Sequence, residues 1–164
     1  ILLDTELHGR ITSRAELLLY LASRHQHSAE VIIPALELGK AVLCDRYADS
    51  STAYQGGARG LGIEEVEELN ELVIPRWPDL TILLDVPVEL GISRRIGSVP
   101  DRLEGEGAEF LRRVRESYQI LAERHPGRIA LVDGSGRPEE TAAEVKKYID
   151  GFLKKSEERN PGGK

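Results

Sequence analysis

The chain has 164 residues, of which 40% are apolar and 30% charged, and its formal net charge is −6 at pH 7. These values fit one globular domain with a buried core, and the negative charge argues against a broad nucleic-acid-binding surface. The single cysteine, Cys44, excludes an internal disulfide and a cysteine-rich zinc site, and its apolar neighbours predict a buried thiol. No window approaches the ~20 apolar residues of a membrane span, and the N-terminus shows no signal-peptide pattern, so we expect a cytoplasmic protein.

Three short apolar runs predict the strands of a sheet. Each run is nearly continuous rather than alternating, which is typical of parallel strands covered on both faces. The predicted strands span residues 40–45, 80–85 and 128–133. Ligands bind beyond the carboxyl ends of such strands, which places Asp45, Asp85 and Asp133 on the candidate active face.

Helical patterns separate and follow these runs, so the sequence predicts an α/β fold with a parallel sheet and flanking helices. The predicted helices span residues 13–32, 62–74, 109–124 and 137–155. Ser13 and Glu16 have the spacing of a capping box, and Pro34 is expected to kink or end the first helix. The stretch DGSGRPEE, which begins at Asp133, predicts a turn followed by a helix cap rather than a phosphate-binding loop.

The predicted domain covers residues 1–153. Within it, the segment at about 91–107 is rich in glycine and arginine and loses its periodicity, which is typical of a lid. The polar residues 154–164 are predicted to form a disordered tail.

An acid and an arginine stand side by side at the end of the first predicted strand. Asp45 could hold Mg²⁺ or its water ligands, and Arg46 offers a planar fork of donors to phosphate oxygens. The same dipeptide fits a simple ion pair in a loop equally well. Basic residues of the predicted lid favour phosphate chemistry, although they also fit a solvated face; they are Arg94, Arg95 and Arg102.

The run DRYADSSTAYQG, residues 45–56, resembles the signature of the thymidylate kinases, D-R-Y/F/H-x-x-S-x-x-A-Y-Q-G, at every fixed position. AELLLYLASRHQH, PDLTILLDVP and DRLEGEGAEFLRRVRESY resemble the base-facing helix, the fourth strand and the lid with its following helix. The resemblance runs in order from near residue 1 to about residue 153. It implies a cytosolic kinase of the P-loop nucleoside monophosphate type, which transfers the γ-phosphoryl of ATP to dTMP with Mg²⁺ and gives dTDP for dTTP synthesis.

The resemblance implies a role for each matching residue at the nucleoside end. Tyr20 would stack on thymine and Arg24 would donate to a base carbonyl, since residues four apart share a helix face. Without the family, Tyr20 fits a core aromatic and Arg24 a surface charge. Gln55 and Ser51 would contact the thymine edge, although a loop hydroxyl such as Ser51 often bonds backbone. Tyr54 would pack where a 2′-hydroxyl would sit, which favours deoxyribose.

At the phosphate end, the resemblance implies that Arg46 bridges the phosphates and that Asp45 serves Mg²⁺ through water. Arg94, Arg95 and Arg102 would cover the phosphates of ATP. The implied catalytic residues are therefore Asp45, Arg46, Arg94 and Arg95. The family also implies a homodimer formed through helices such as those at 14–33 and 64–73. The four histidines show no metal-ligand spacing and are expected to be exposed.

The sequence departs from the family at its beginning. It contains neither the G-x-x-x-x-G-K-S/T phosphate loop nor the E-P-G-G segment with the nearby arginine for the dTMP phosphate. The family sheet has strand order 2-3-1-4-5, and the absent segment holds strands 1 and 2. The run at 40–45 would then have no strand to pair with. We therefore expect residues 1–164 alone neither to form the family sheet nor to phosphorylate dTMP.

Two alternatives to an active dTMP kinase remain at this point. One is a catalytically inactive fragment that binds dTMP or serves only a structural purpose. The other is a different nucleoside monophosphate kinase, which the Tyr54–Gln55 pair and the Tyr20–Arg24 face disfavour.

Overall fold

The computed structural model of the chain describes residues 10–95 and 102–159. Its helices are α1 (Ser13–His27), α2 (Ile33–Glu37), α3 (Ala48–Ser51), α4 (Ile63–Val73), α5 (Val88–Arg94), α6 (Ala108–Arg124) and α7 (Pro138–Arg159). Two π-helical segments, Ser28–Ile32 and Thr52–Ala58, and one 3-10 turn, Glu104–Glu106, join or precede them. The strands are β1 (Thr81–Asp85) and β2 (Ile129–Asp133).

The two strands pair in parallel, which confirms the strands predicted at 80–85 and 128–133. Thr81 faces Ile129 at one end of the ladder, and Asp85 faces Asp133 at the other. Beyond the last pair, the amide of Gly134 donates to the carbonyl of Asp85 at 2.9 Å. The α/β class and the parallel sheet are therefore confirmed, with both carboxylates at the carboxyl edge.

The strand predicted at 40–45 is wrong for the residues that the structure describes. No regular strand forms there, and Leu43 is 99% exposed. An apolar run forms a strand only where a neighbouring strand can satisfy its backbone groups, and the described sheet contains β1 and β2 alone. Cys44 is exposed for the same reason, so the prediction of a buried thiol is also wrong.

The first predicted helix continues further than expected. After α1, the chain passes through the π-helical segment Ser28–Ile32 into α2 without leaving helical geometry. Pro34 lies in the first turn of α2, where a missing N–H costs nothing, so it does not end the helix. The cap also differs from the capping box, because Thr12 is the N-cap and its hydroxyl accepts from the amide of Ala15 at 3.3 Å.

Three helical stretches had no clear pattern in the sequence. They are α3, the π-helical segment Thr52–Ala58 and α5. The other predicted helices appear as α4, α6 and α7, and α7 runs to Arg159, so residues 154–159 are helical rather than a disordered tail. Residues 160–164 lie outside the described part of the chain.

Helix α6 organises the largest part of the core. It packs against both strands and against the π-helical segment Thr52–Ala58. Its apolar stripe contributes Phe110, Val114 and Leu121 to a buried cluster with Ala53, Ala58 and Ile129. A Cβ on Gly57 would lie 1.8 Å from the Ser117 hydroxyl of α6, so only glycine permits this approach. The core therefore holds the signature run against α6.

None of the helices within residues 10–95 and 102–159 combines the length and the apolar character that crossing a bilayer requires.

Truncating α6 at its buried face should destabilise the fold far more than truncating its outer face. Leu121 is 1% exposed and its neighbour Ile120 is 37% exposed. Leu121→Ala should lower the free energy of unfolding by about 2–5 kcal/mol, and the matched control Ile120→Ala by less than about 1 kcal/mol. Urea unfolding followed by circular dichroism measures both. Equal losses would contradict this description of the core.

Candidate functional site

The signature run places Arg46 in an unusual backbone conformation at its start. Its φ is +62°, the one positive value at a non-glycine residue within the described chain. Its guanidinium lies over the ring of Tyr54, 4.3 Å from the ring centre, and its Nε donates to the Ser50 hydroxyl at 3.5 Å. Left-handed backbone at a non-glycine residue is strained and is commonly found at functional sites. The structure therefore brings together Arg46 and Tyr54, two residues of the signature run.

An aromatic cluster supports Tyr54 from behind. Its ring meets Phe110 and Tyr118 of α6 edge-on, with centroid distances of 6.0 and 6.4 Å. The Tyr118 and Ser50 hydroxyls are 2.7 Å apart, and burial raises the pKa of Tyr118 to about 12. Tyr118 is thus a neutral phenol that fixes Ser50. Sequence reasoning missed Tyr118 as a site residue, although its place on the apolar face of α6 was visible.

A cleft of about 390 Å³ opens beside this cluster, at the carboxyl end of β1. Its polar lining comes from Arg46, Arg95, Arg115, Asp85, Tyr54 and Tyr118. Leu83 and Leu84 of β1 and Val88 and Leu103 contribute to the apolar lining. A cleft in which three arginines outnumber one aspartate suits an anionic ligand with an apolar part.

Asp85 and Arg115 form a two-pronged ion pair on the wall of this cleft. The Arg115 Nε and Nη2 atoms donate to the two carboxylate oxygens at 2.6 and 2.8 Å, and Gln119 adds a bond at 3.2 Å. The guanidinium of Arg115 holds the pKa of Asp85 below its ordinary value despite partial burial. The aspartate that ends β1 was predicted on the active face, but its partner on α6 was not.

The face of α1 that carries Arg24 also packs against the signature run. Arg24 donates through Nη1 to the Ser51 hydroxyl at 2.7 Å, and its guanidinium lies 5.6 Å from the centre of the Tyr47 ring. Burial lowers the pKa of Arg24. Tyr20 is half-buried one turn earlier on the same helix. Of the predicted dTMP-binding residues, the structure thus joins Arg24 to Ser51 and Arg46 to Tyr54.

Like Ser51, which is 1% exposed, Gln55 is enclosed by protein. It is 2% exposed, and its amide nitrogen donates at 2.8 Å to Glu16, which is 1% exposed. Neither residue lines the cleft beside Tyr54. Sequence reasoning had assigned Glu16 only to a helix cap.

The basic residues of the predicted lid occupy three different environments. Arg94 donates to the carbonyls of the loop after β2, at 2.6 Å to both Gly134 and Ser135 and 3.0 Å to Gly136. Arg95 lines the cleft, and Arg102 is 2% exposed and bonded to Glu16 at 2.5 Å. Residues 96–101 of the lid lie outside the described residues.

Asp45, the predicted magnesium residue, is exposed and directly precedes Arg46. Across residues 10–95 and 102–159, no three His, Cys, Asp or Glu side chains are grouped to hold a metal ion. A single carboxylate is compatible with Mg²⁺, which keeps several waters and shares substrate phosphates in kinase sites. Of the histidines, His25 and His27 are exposed as expected, whereas His125 is half-buried and lies 2.8 Å from Glu67. His8 lies outside the described part.

The loop after β2 is the turn and helix cap that its sequence predicted. The Ser135 amide donates to the Asp133 carboxylate at 2.8 Å, and the Arg137 amide donates to Glu140 at 3.2 Å. Glutamate thus already occupies the start of α7, where a phosphate would otherwise be attracted.

A parallel sheet with an arginine-lined cleft at the carboxyl end of a strand fits the class of α/β proteins that bind anionic ligands such as nucleotides. The family profile described as "Thymidylate kinase" matches residues 2–145. The thymidylate kinase of Geobacter sp. (strain M21) is 47% identical over 157 residues, which cover 91% of this chain and 69% of that protein. The thymidylate kinase of Citrifermentans bemidjiense is 48% identical, over 86% of this chain and 66% of that protein.

A solved structure agrees with these relatives. The crystal structure of thymidylate kinase from Ehrlichia chaffeensis superimposes with a TM-score of 0.67 at 31% identity, and covers 84% of this chain and 65% of that one. The chain belongs to the thymidylate kinase family, the phosphotransferases that phosphorylate dTMP in nucleotide biosynthesis. It spans about two thirds of the length of these relatives.

The Asp85–Arg115 pair should make stability depend on pH. Because the folded-state pKa of Asp85 is lowered, its contribution is present above the ordinary carboxyl pKa of about 3.9 and is lost as pH falls through the folded value. Asp85→Asn should lower the free energy of unfolding by about 1 kcal/mol at pH 7, since solvent screens the partly exposed Arg115. This difference should shrink progressively below about pH 4. Urea unfolding from pH 7 to pH 3 measures it.

The control is Asp79→Asn, which removes an exposed pair with Arg76 and should change little at any pH. A constant difference between Asp85→Asn and the unaltered protein across the pH range would disprove the assignment.

Proposed function

We propose that the protein carrying this chain transfers the γ-phosphoryl group of ATP to dTMP, giving dTDP and ADP, in the cytoplasm. The observation that carries the proposal is the placement of Arg46, strained and stacked on Tyr54, at an arginine-lined cleft. Release of ADP from ATP that depends on dTMP tests it. The alternative, a fragment that binds dTMP or only stabilises a larger assembly, would bind or pack without releasing ADP.

The nucleoside end of dTMP would lie between α1 and the signature run. Arg24, whose guanidinium is bonded to the buried Ser51 hydroxyl, would donate to a base carbonyl, and Tyr20 on the same helix would offer a flat ring for stacking. Tyr54, held by Phe110 and Tyr118, would close against C2′ of the sugar. Gln55 would support this set indirectly, because its amide nitrogen is bound to the buried Glu16.

The phosphate end would lie in the cleft. Arg46 reaches from the stacked position over Tyr54 toward the phosphates, and Arg95 lines the same cleft. The other two arginines that the family resemblance assigns to ATP make different contacts here: Arg94 donates to loop carbonyls and Arg102 to Glu16. Arg46 would stabilise the charge that spreads over the transferred group's oxygens in the transition state.

Mg²⁺ is the cofactor that a kinase of this kind needs, and Asp45 is the residue proposed to hold it through water. The exposed carboxylate next to Arg46 has the oxygen chemistry that Mg²⁺ prefers. When bound, Mg²⁺ neutralises charge on the β- and γ-phosphates. The proposed role of Asp45 is to orient a water ligand of the ion beside Arg46.

We further propose a homodimer through the outer faces of α1 and α4. Large apolar side chains lie exposed there: Leu18 is 61% exposed on α1, and Leu72 is 82% exposed on α4. Leu17, Leu21 and Val66 pack these two helices against each other on their buried sides. Exposed apolar side chains on adjoining helices favour burial against a second copy.

The protein should prefer dTMP over dCMP and dGMP. The guanidinium of Arg24, which Ser51 orients, would lose its proposed bond to the base carbonyl against the wrong base, at a cost of ~1–3 kcal/mol. This corresponds to a ratio of kcat/KM values of about 5- to 150-fold in favour of dTMP. Steady-state kinetics with the three nucleotides measures it. Equal kcat/KM values would rule out the proposed base contacts.

Arg46 should act in the transition state more than in substrate binding. Arg46→Ala should lower kcat by about 10²-fold or more, the scale seen when one charge-stabilising donor is removed, with a much smaller change in KM. Arg76→Ala, which removes an exposed arginine paired to Asp79, is the matched control and should leave kcat unchanged. A raised KM with unaltered kcat in Arg46→Ala would show that Arg46 only binds substrate.

A further inference from the structure

A buried carboxylate lies beneath the nucleoside-binding residues and belongs to no step proposed above. The side chain of Glu16 on α1 is 1% exposed and accepts hydrogen bonds from three residues. Arg102 Nη2 lies at 2.5 Å, Gln55 Nε2 at 2.8 Å and Arg59 Nη2 at 3.3 Å. A carboxylate this deeply buried is stable only when its oxygens are fully bonded.

The cluster balances its own charge. Arg59 also donates to Glu106 at 2.5 Å, so two acids and two arginines alternate in the order Arg102, Glu16, Arg59, Glu106. Burial by itself would raise the pKa of Glu16, but the hydrogen bonds from Gln55, Arg102 and Arg59 outweigh it and keep the carboxyl ionised. A balanced cluster gives both arginines a permanent counter-charge inside the protein.

The cluster joins three separate parts of the chain. Glu16 lies one helical turn before Tyr20 and two turns before Arg24 on α1, so the three share a face. Gln55 directly follows Tyr54 in the π-helical segment. Arg102 and Glu106 belong to the stretch that leads into α6. One carboxylate therefore links the two elements that would bind the nucleoside to the stretch that completes the predicted lid.

We propose that Glu16 is a positioning residue for dTMP binding, and that Arg102 serves as its counter-ion rather than as a cation for ATP phosphates. The inference rests on the proposed function, because dTMP is the ligand whose binding reports on it. Glu16 holds the Gln55 amide and, through it, the turn that carries Tyr54. A carboxylate can only accept, so it also fixes the orientation of that amide, with the NH₂ group toward Glu16.

The contrast between the arginines supports this assignment. Arg102 is 2% exposed and buried against Glu16, whereas Arg46 is exposed and Arg95 lines the cleft. For Arg102 to reach a phosphate, Glu16 would have to give up its shortest described hydrogen bond and remain charged inside the protein. The charge of Arg102 is thus already matched by a buried acid.

A double-mutant cycle on the whole protein tests the proposal. The variants are Glu16→Gln, Arg102→Met and the two combined, and the measurements are the Kd of dTMP by isothermal titration calorimetry and the KM of ATP. Each single variant should weaken dTMP binding by about tenfold with the KM of ATP unchanged. The combined variant should bind no more weakly than either single one, because each single change already breaks the same pair.

Two further variants keep the test decisive. Glu106→Gln removes an outer member of the cluster while leaving the bonds from Gln55 and Arg102 to Glu16, and it should leave the Kd of dTMP within about twofold. Glu16→Asp keeps the charge but shortens the side chain by one methylene, so it should raise this Kd by about threefold. This variant replaces Glu16→Gln in the test if Glu16→Gln does not fold. Thermal unfolding is recorded for every variant.

Three outcomes would overturn the inference. The first is an unchanged Kd of dTMP in folded Glu16→Gln or Glu16→Asp. The second is a raised KM of ATP in Arg102→Met that Glu16→Gln does not share, which would make Arg102 a phosphate ligand. The third is an additive loss of unfolding temperature across the double-mutant cycle, which would refute the coupling between Glu16 and Arg102. If the unaltered protein does not bind dTMP, the proposed function itself is refuted, and the unfolding temperatures still test this coupling.

Discussion

The contact between α6 and the π-helical segment Thr52–Ala58 is the constraint on which the rest of the structure depends. It is so close that Gly57 has no room for a Cβ, and Ala53 and Ala58 are buried beneath the apolar stripe of α6. Because the backbone of this segment cannot move away, Tyr54 must lie with its ring against Phe110 and Tyr118. The position of Arg46 over Tyr54 follows from that packing, so core packing and site geometry have the same origin.

Buried acids paired with arginines form a second level of organisation. Glu16 pairs with Arg102, and Asp49 accepts two bonds of 2.7 Å from Arg128, which stacks on Trp77. Each pair joins elements that are distant in sequence, and each would leave a desolvated charge if one partner were removed, at a cost of about 3–5 kcal/mol. Such pairs add little net stability compared with apolar packing, but they strongly penalise any arrangement in which the partners separate. They therefore define which elements lie together around the signature run.

The sequence predicted the elements whose signal is local and periodic. The strands β1 and β2 and the helices α4, α6 and α7 follow from apolar runs and 3.6-residue patterns. The helical part of the signature run was missed because its residues are small and polar and its burial comes from α6, far along the chain. The strand predicted at 40–45 failed for the opposite reason, since its composition fits a strand but strand formation depends on a neighbour. In the site, the structure joins Arg46 to Tyr54 and Arg24 to Ser51, residues that the sequence had singled out without predicting these contacts. The partners of Glu16 and Asp85 lie too far away in sequence to be inferred from spacing.

The arginines show why composition alone understates what this chain can bind. The net charge of −6 would repel an anion at long range, yet the cleft at the end of β1 is lined by three arginines and a single aspartate. Arg115 is matched by Asp85 on the cleft wall, and Arg102 is matched by Glu16 below the nucleoside-binding face. Arg46 has a left-handed backbone conformation, and its guanidinium lies over the ring of Tyr54, which fixes its position beside the cleft. Local arrangement therefore gathers three basic side chains at one cleft of an acidic protein, which net charge alone does not indicate.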